Sequence, residues 1–336
     1  MGAATAGEQG GRWDPQGEGG GRRSTGPGSP RDLGAAPPSW RTVTFIVFLC
    51  ALWGGNMVAM KVGLQGVPPM ATAGFRFLLA SISIVLFARV RRVSLTVERG
   101  LWPHLLALGA LFVVQHGVFF LGLNLTSASR SAVFMFTQPV YTVLLAHFLV
   151  PGERLTPARA GGILLSFLGL LVVFGERLGG GNWGTLLGDG LVSAAAVGWA
   201  LQSIYMKHLV SRTEPFVLTL YQMLIALPWF FLANWLFEPR LIYYVDARIA
   251  LAFLYHGSLI AGLTFVAWTT LLRRLQVSQL SAFIFLTPIS GVLLSRILLG
   301  DPLTPGLVAG LILVAAGIAV VIRPAPIQRS RFEVQR

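Results

Sequence analysis

One cysteine, Cys50, is all that a chain of 336 residues contains, so no intramolecular disulfide can form and the redox compartment is unmarked. Charge is scarce too. Only 12% of residues are Asp, Glu, Lys or Arg, too few to cover a soluble domain of this length. Acids are rarest, 13 against 26 Lys and Arg. They are scattered and the loops are short, so no group of acids with His or a nucleophile marks a catalytic centre. No Gly-rich loop ending in Lys-Ser/Thr occurs, which argues against direct drive by ATP. No carboxylate or Cys lies one helical turn from His116 or His256, so neither a metal site nor a cofactor is expected.

What the chain has instead is apolar length. Hydrophobic residues make up 54% of it, and mean hydropathy is +0.69. Runs such as Val43–Met60, Leu105–Leu123 and Leu307–Ile322 approach the roughly 20 residues that cross a hydrocarbon core of about 30 Å. A net charge of +13 could suit a nucleic acid, but the arginines fall mostly between apolar runs, where a membrane protein keeps its cytoplasmic positive charge. The partner is therefore a lipid bilayer and not a nucleic acid. The first residues, rich in Gly, Pro and Arg and without apolar periodicity, predict a disordered tail over 1–41.

The pattern predicts an all-α integral membrane protein with ten transmembrane helices, at about 42–62, 70–88, 103–123, 128–150, 157–175, 185–208, 215–237, 248–272, 277–299 and 304–322. With the N-terminus inside, the inner loops hold most of the arginines, among them Arg89, Arg91, Arg92, Arg99, Arg154 and Arg159. Arg130 and Arg240 are among the few cations left outside. Both termini are then cytoplasmic, in a plasma membrane, and 323–336 is a second cytoplasmic tail.

The chain also repeats itself. "GERLTP" at Gly152–Pro157 returns as "GDPLTP" at Gly300–Pro305, and each follows a segment beginning Ser-Ala, at Ser131 and Ser281. Trp53 precedes Met60-Lys61 at the spacing by which Trp199 precedes Met206-Lys207, and Phe75-Arg76 falls on Tyr221-Gln222. Helices one to five (42–175) thus match helices six to ten (176–322). Because five is odd, the second copy enters the bilayer from the opposite face. Two inverted five-helix repeats enclosing a mid-membrane site are a recurrent transport architecture. The repeated turn also has a local reason. Thr156 and Thr304 suit an N-cap, Pro157 and Pro305 suit the first helical turn, and Glu153 and Asp301 lie near the positive end of the helix that follows.

"LWGGNMVAMKVGLQGVPPMATAGFRFLLA", "QPVYTVLLAHFLVPGERLTPARAGGILLSFLGLLVV" and "TPISGVLLSRILLGDPLTPGLVAGLILVAAGIAVV" resemble the EamA-type permeases of the drug/metabolite transporter superfamily. The resemblance runs from about Thr42 to Ile322, with Pro302 standing where the first copy has Arg154. It implies secondary transport of small metabolites, often export, and names no single substrate.

Polar residues inside the spans are the candidate site. The first half offers Trp53, Asn56, Arg76, Gln115, His116 and Gln138. The second offers Trp199, Gln202, Tyr205, Gln222 and Trp268. Arg76, about 10 Å into helix two, can snorkel, bond a neighbouring helix, or attract an anionic group. Lys61 and Lys207 suit helix C-termini. Asp189, placed within helix six, is either favoured there by the helix dipole or couples transport to protons. Pro139 and Pro288 lie inside helices four and nine and are hinge candidates. Small residues four apart, Gly162/Ser166 in helix five and Gly306/Gly310 in helix ten, serve close packing, either within a monomer or in a homodimer.

The expectation is a secondary transporter that moves a small metabolite, an amino acid or a related compound, by alternating access. A membrane-embedded enzyme and a non-transporting receptor are the rivals. Inversion is open to a direct test in a Cys50→Ala background: single cysteines introduced at Gly152 and Gly300 should react with impermeant maleimide from opposite sides of sealed vesicles. Labelling from the same side refutes the inverted repeat.

Overall fold

The structure is a computed structural model and describes residues 40–149, 155–176, 183–209, 213–264, 267 and 286–321. The tails, most of the first copy of the repeated turn (Gly152, Glu153, Arg154), Trp268 and the segment holding Ser281 lie outside the described residues, as does the Lys207 side chain.

Among the described residues there are helices and no strand. They are α1 (Trp40–Gly66), α2 (Pro69–Arg91), α3 (Trp102–Leu125), α4 (Ala128–Met135), α5 (Gln138–Leu149) and α6 (Pro157–Gly175). There follow α7 (Trp183–Leu209), α8 (Pro215–Phe237), α9 (Ala247–Phe253), a π-helical segment (Leu254–Thr264), α10 (Leu286–Leu299) and α11 (Pro305–Val321). Among the described residues, seven spans are long and apolar enough to cross a membrane: α1, α2, α3 with its 3₁₀ lead, α4 with α5, α7, α8, and α9 with the π segment. α6, α10 and α11 are apolar but shorter. The outer surface carries large apolar side chains, Phe48, Val90, Val114, Leu164 and Trp235 among them, all more than half exposed. That inversion of a soluble surface fits a chain whose solvent is lipid. The protein is an all-helical, multi-pass membrane protein.

Two expected helices are interrupted. The span read as 128–150 breaks into α4 and α5, with turns at Phe136 and Thr137. Pro139 has no N–H and its ring crowds the carbonyl four residues back, that of Met135, where α4 ends. Thr137 then bridges the break: its Oγ1 donates to Phe134 O at 2.5 Å, and its carbonyl accepts from Val140 N at 2.9 Å. Pro139 is therefore the second residue of a new helix and not a kink inside an old one. The span read as 248–272 becomes π-helical at Leu254. Pro288 is the third described residue of α10, and a further proline, Pro228, lies inside α8.

The two copies of the Thr-Pro turn start their helices alike. Thr156 Oγ1 accepts from Arg159 N at 3.3 Å, and Thr304 Oγ1 accepts from Leu307 N at 3.3 Å. Asp301 departs from expectation. Its Oδ2 accepts from the N–H of Ser129 at 3.1 Å and from its hydroxyl at 2.9 Å, so it caps α4 and not the helix that follows it. α11 is served by Glu176, which accepts from Thr304 Oγ1 at 2.6 Å and Gly306 N at 2.8 Å. A carboxylate goes to whichever helix start lies nearest in space.

α6 packs on α11, α3 on α7, α1 on α10, and α2 between α8 and the π segment. The small-residue faces foreseen in helices five and ten meet each other within the chain. A Cβ on Gly169 would stand 2.7 Å from Gly310 O, and one on Gly317 would stand 2.5 Å from Gly162 O. Gly161, on the same helix, faces open space. Gly169→Leu is expected to cost about 1–3 kcal/mol by forcing the helices apart, seen as a lower melting temperature in detergent. Gly161→Leu should melt with the parent protein.

Candidate transport cavity

Helical spacing gathers the site. Trp53, Asn56, Met57 and Met60 fall at i, i+3, i+4 and i+7 on α1, and Phe112, Gln115, His116 and Phe119 repeat that spacing on α3. Each set therefore shares one helix face. Both faces line a cavity of about 380 Å³. α2 adds Arg76 and Phe77, the α4–α5 break adds Met135, Phe136, Gln138 and Pro139, and α7 adds Trp199, Gln202 and Met206. α8 adds Thr219, Gln222 and Met223, and the π segment adds Ile260, Ala261 and Thr264.

Of the eleven residues nominated for the cavity, nine line it. Tyr205 points elsewhere, with its hydroxyl 2.8 Å from Nδ1 of His104. Trp268 is outside the described residues. The methionines, Phe112, Phe119 and the two threonines were not foreseen, although their i, i+3, i+4 spacing to nominated residues was the available signal.

The cavity's polar groups fall into two kinds. Some are satisfied by protein. Arg76 Nη1 donates to Asn56 Oδ1 at 2.8 Å, and its guanidinium lies 5.6 Å from the centre of the Phe77 ring. Gln202 Nε2 donates to Gln222 Oε1 at 2.6 Å. Trp53 Nε1 donates to Thr264 Oγ1 at 2.7 Å, and Gln138 Nε2 donates to Thr142 and Ser203 hydroxyls at 2.8 and 3.2 Å. The Nδ1–H of His116 donates to Phe112 O at 3.1 Å, which leaves Nε2 as an acceptor. Other groups are buried with no hydrogen bond: both amide atoms of Gln115, Oε1 of Gln202 and Oγ1 of Thr219. A buried polar atom without a partner costs about 1–3 kcal/mol, and a ligand that bonds it recovers that cost.

A second polar cluster lies where α1 and α3 finish and α4, α7 and α11 begin. Arg130, read from the sequence as an outer-loop cation, is buried in α4. Its Nε donates to Asp189 Oδ2 at 3.0 Å, its Nη2 bonds the same oxygen, and Thr126 Oγ1 donates to Asp189 Oδ1 at 2.7 Å. Glu176 approaches Arg130 to 4.0 Å. Asp189 is fully buried and off the cavity. Lys61 does serve a helix C-terminus, but that of a neighbour. Its Nζ donates to Leu123 O at 2.7 Å, Asn124 O at 3.0 Å and Thr126 O at 2.7 Å, at the end of α3.

An apolar-faced helical bundle around a largely apolar cavity with a few polar groups has the build of a small-molecule transporter. The chain belongs to the EamA-like transporter family, whose family model matches it twice, over residues 40–175 and 186–323. It is 28% identical to a protein of Escherichia coli named "Probable amino-acid metabolite efflux pump", with 82% of this chain and 92% of that protein covered. It is 27% identical over 256 residues to a protein of Ancylobacter novellus named "Aromatic amino acid exporter YddG", and the match covers 75% of this chain and 87% of that one. A crystal structure at 25% identity superposes with a TM-score of 0.62, covering 84% of this chain and 96% of the other.

The buried Arg130–Asp189 pair yields a stability test. Asp189→Asn or Arg130→Gln alone strands a charge and is expected to cost about 3–5 kcal/mol. The double variant should lose less than the sum, which thermal unfolding of all four proteins in detergent measures as a coupling energy.

Proposed function

We propose that the protein is a secondary transporter that exports a small metabolite, an amino acid or a related compound, from the cytoplasm across the plasma membrane. It works by alternating access between two inverted five-helix repeats, 42–175 and 176–322, with the cavity between them as the substrate site. The observation that carries this reading is a duplication within the cavity wall. Trp53 and Trp199, Asn56 and Gln202, Met60 and Met206, Arg76 and Gln222, and Phe77 and Met223 all line it, and each pair is separated by 146 positions (199 − 53, and likewise for the rest). Two related faces that look into one space are what an inverted-repeat transporter needs. The names of the related exporters point to amino acids.

In this mechanism the substrate's polar groups meet Gln115, Gln202, Thr219 and His116, and its apolar part lies against Trp53, Trp199 and Phe119. The Arg130–Asp189 pair latches one end of the bundle, and Asp189 is the coupling candidate, because a proton on its carboxylate weakens its hold on Arg130. The break at Phe136–Thr137 beside Pro139 is the hinge candidate of the first half, and Pro288 is that of the second. Arg89, Arg91 and Arg92 at the end of α2 lie on the cytoplasmic side, and the carboxylate caps lie on the other.

Purified protein reconstituted in proteoliposomes tests this. Vesicles preloaded with a panel of amino acids and their derivatives should show saturable counterflow of at least one labelled member. Ala261→Phe, which fills the cavity, should abolish it. Absence of flux for the whole panel refutes the proposal.

A further inference from the structure

The duplicated cavity wall is symmetric in position but not in charge. Asn56 and Arg76 are hydrogen-bonded to each other, and so are Gln202 and Gln222; in both pairs the partners are 20 residues apart. In both, a tryptophan stands three positions earlier, Trp53 or Trp199. The second pair shows that two neutral amides close this bridge. The helices therefore do not need a guanidinium there.

The charge is also unbalanced. Arg76 is 8% exposed, and among the described residues its side chain meets no carboxylate, whereas the buried Arg130 is paired with Asp189. The cavity lining includes no Asp or Glu, and the stretch 265–285 contains none in its sequence. A buried cation that the fold neither requires nor neutralises is stabilised by whatever anion enters the cavity. One guanidinium balances one carboxylate, by the bidentate geometry the two groups share. On the facing side Gln202 Oε1 and Thr219 Oγ1 are buried without partners, and these are neutral groups that suit an uncharged or hydrogen-bonding end.

We propose that Arg76 is the charge selector of the cavity. It admits compounds with a single carboxylate and orients them with that group against α1 and α2 and the remainder toward α7 and α8. The inference rests on the cavity being the substrate site, and it adds which chemistry that site reads and which residue reads it.

The test compares isosteric pairs that differ in charge: 3-phenylpropionate, isovalerate and L-phenylalanine, each against its carboxamide. Binding to the purified full chain is followed by tryptophan fluorescence, and flux is followed in proteoliposomes. The parent protein should bind at least one carboxylate about tenfold or more tightly than its amide. Arg76→Gln, which copies the second pair into the first, should erase that preference, and Arg76→Lys should keep part of it. Equal binding of carboxylate and amide by the parent protein, or a preference that survives in Arg76→Gln, overturns the inference even where flux is observed. Saturable, Arg76-dependent binding of carboxylates without flux upholds the selector and refutes the transport reading. No binding and no flux for the whole panel overturns both. The parent comparison needs no variant, so the test does not depend on Arg76→Gln folding.

Discussion

Every helix that starts inside or beside a bilayer presents unpaired N–H groups that lipid tails cannot satisfy, and the placement of four of this protein's acids follows from that constraint. Glu238 accepts from the N–H of Met70 and of Ala71 at the start of α2. Asp301 does the same for α4, Glu176 for α11, and Asp246 for α9, where it accepts from Ile249 N at 2.8 Å. Of these only Asp246 caps its own helix. The others reach across the bundle, so each cap also ties together two elements distant in sequence. Lys61 completes the scheme from the opposite sign, taking three carbonyls at the end of α3. Asp189 adds an ion pair with Arg130 to the same polar end.

The cavity obeys the opposite rule. Instead of closing every polar group on a protein partner, it leaves the Gln115 amide, Gln202 Oε1 and Thr219 Oγ1 open. Its walls are otherwise aromatic rings and methionines, flexible surfaces that adapt to the shape of a ligand. The ends hold the helices in register, and the middle keeps a store of unmade hydrogen bonds and one unneutralised charge.

Much of this could be read along the chain. The apolar runs marked the spans, and the 146-residue offset of Trp53 and Trp199 pointed to the walls of a common site. The Thr-Pro turns announced α6 and α11, because a cap and a first-turn proline act within four residues. Interactions between distant segments were not legible. Arg130 looked like a loop cation because its partner is 59 positions away. Asp301 seemed to belong to the helix it precedes, and it caps α4 through Ser129, 172 positions earlier. Tyr205 had the right residue type and the wrong face. Pro139 signalled a disturbance, but whether the helix bends or restarts depended on how Thr137 could rebond the freed carbonyls.

By itself, then, the sequence determined that this chain lives in lipid, that it is helical, and that its halves are related, since hydropathy, capping and repetition are local or periodic properties. Tertiary structure alone decided which polar groups are paired and which are left facing the cavity. That distinction rests on distances of about 3 Å between atoms brought together by packing, and no spacing along the chain encodes them.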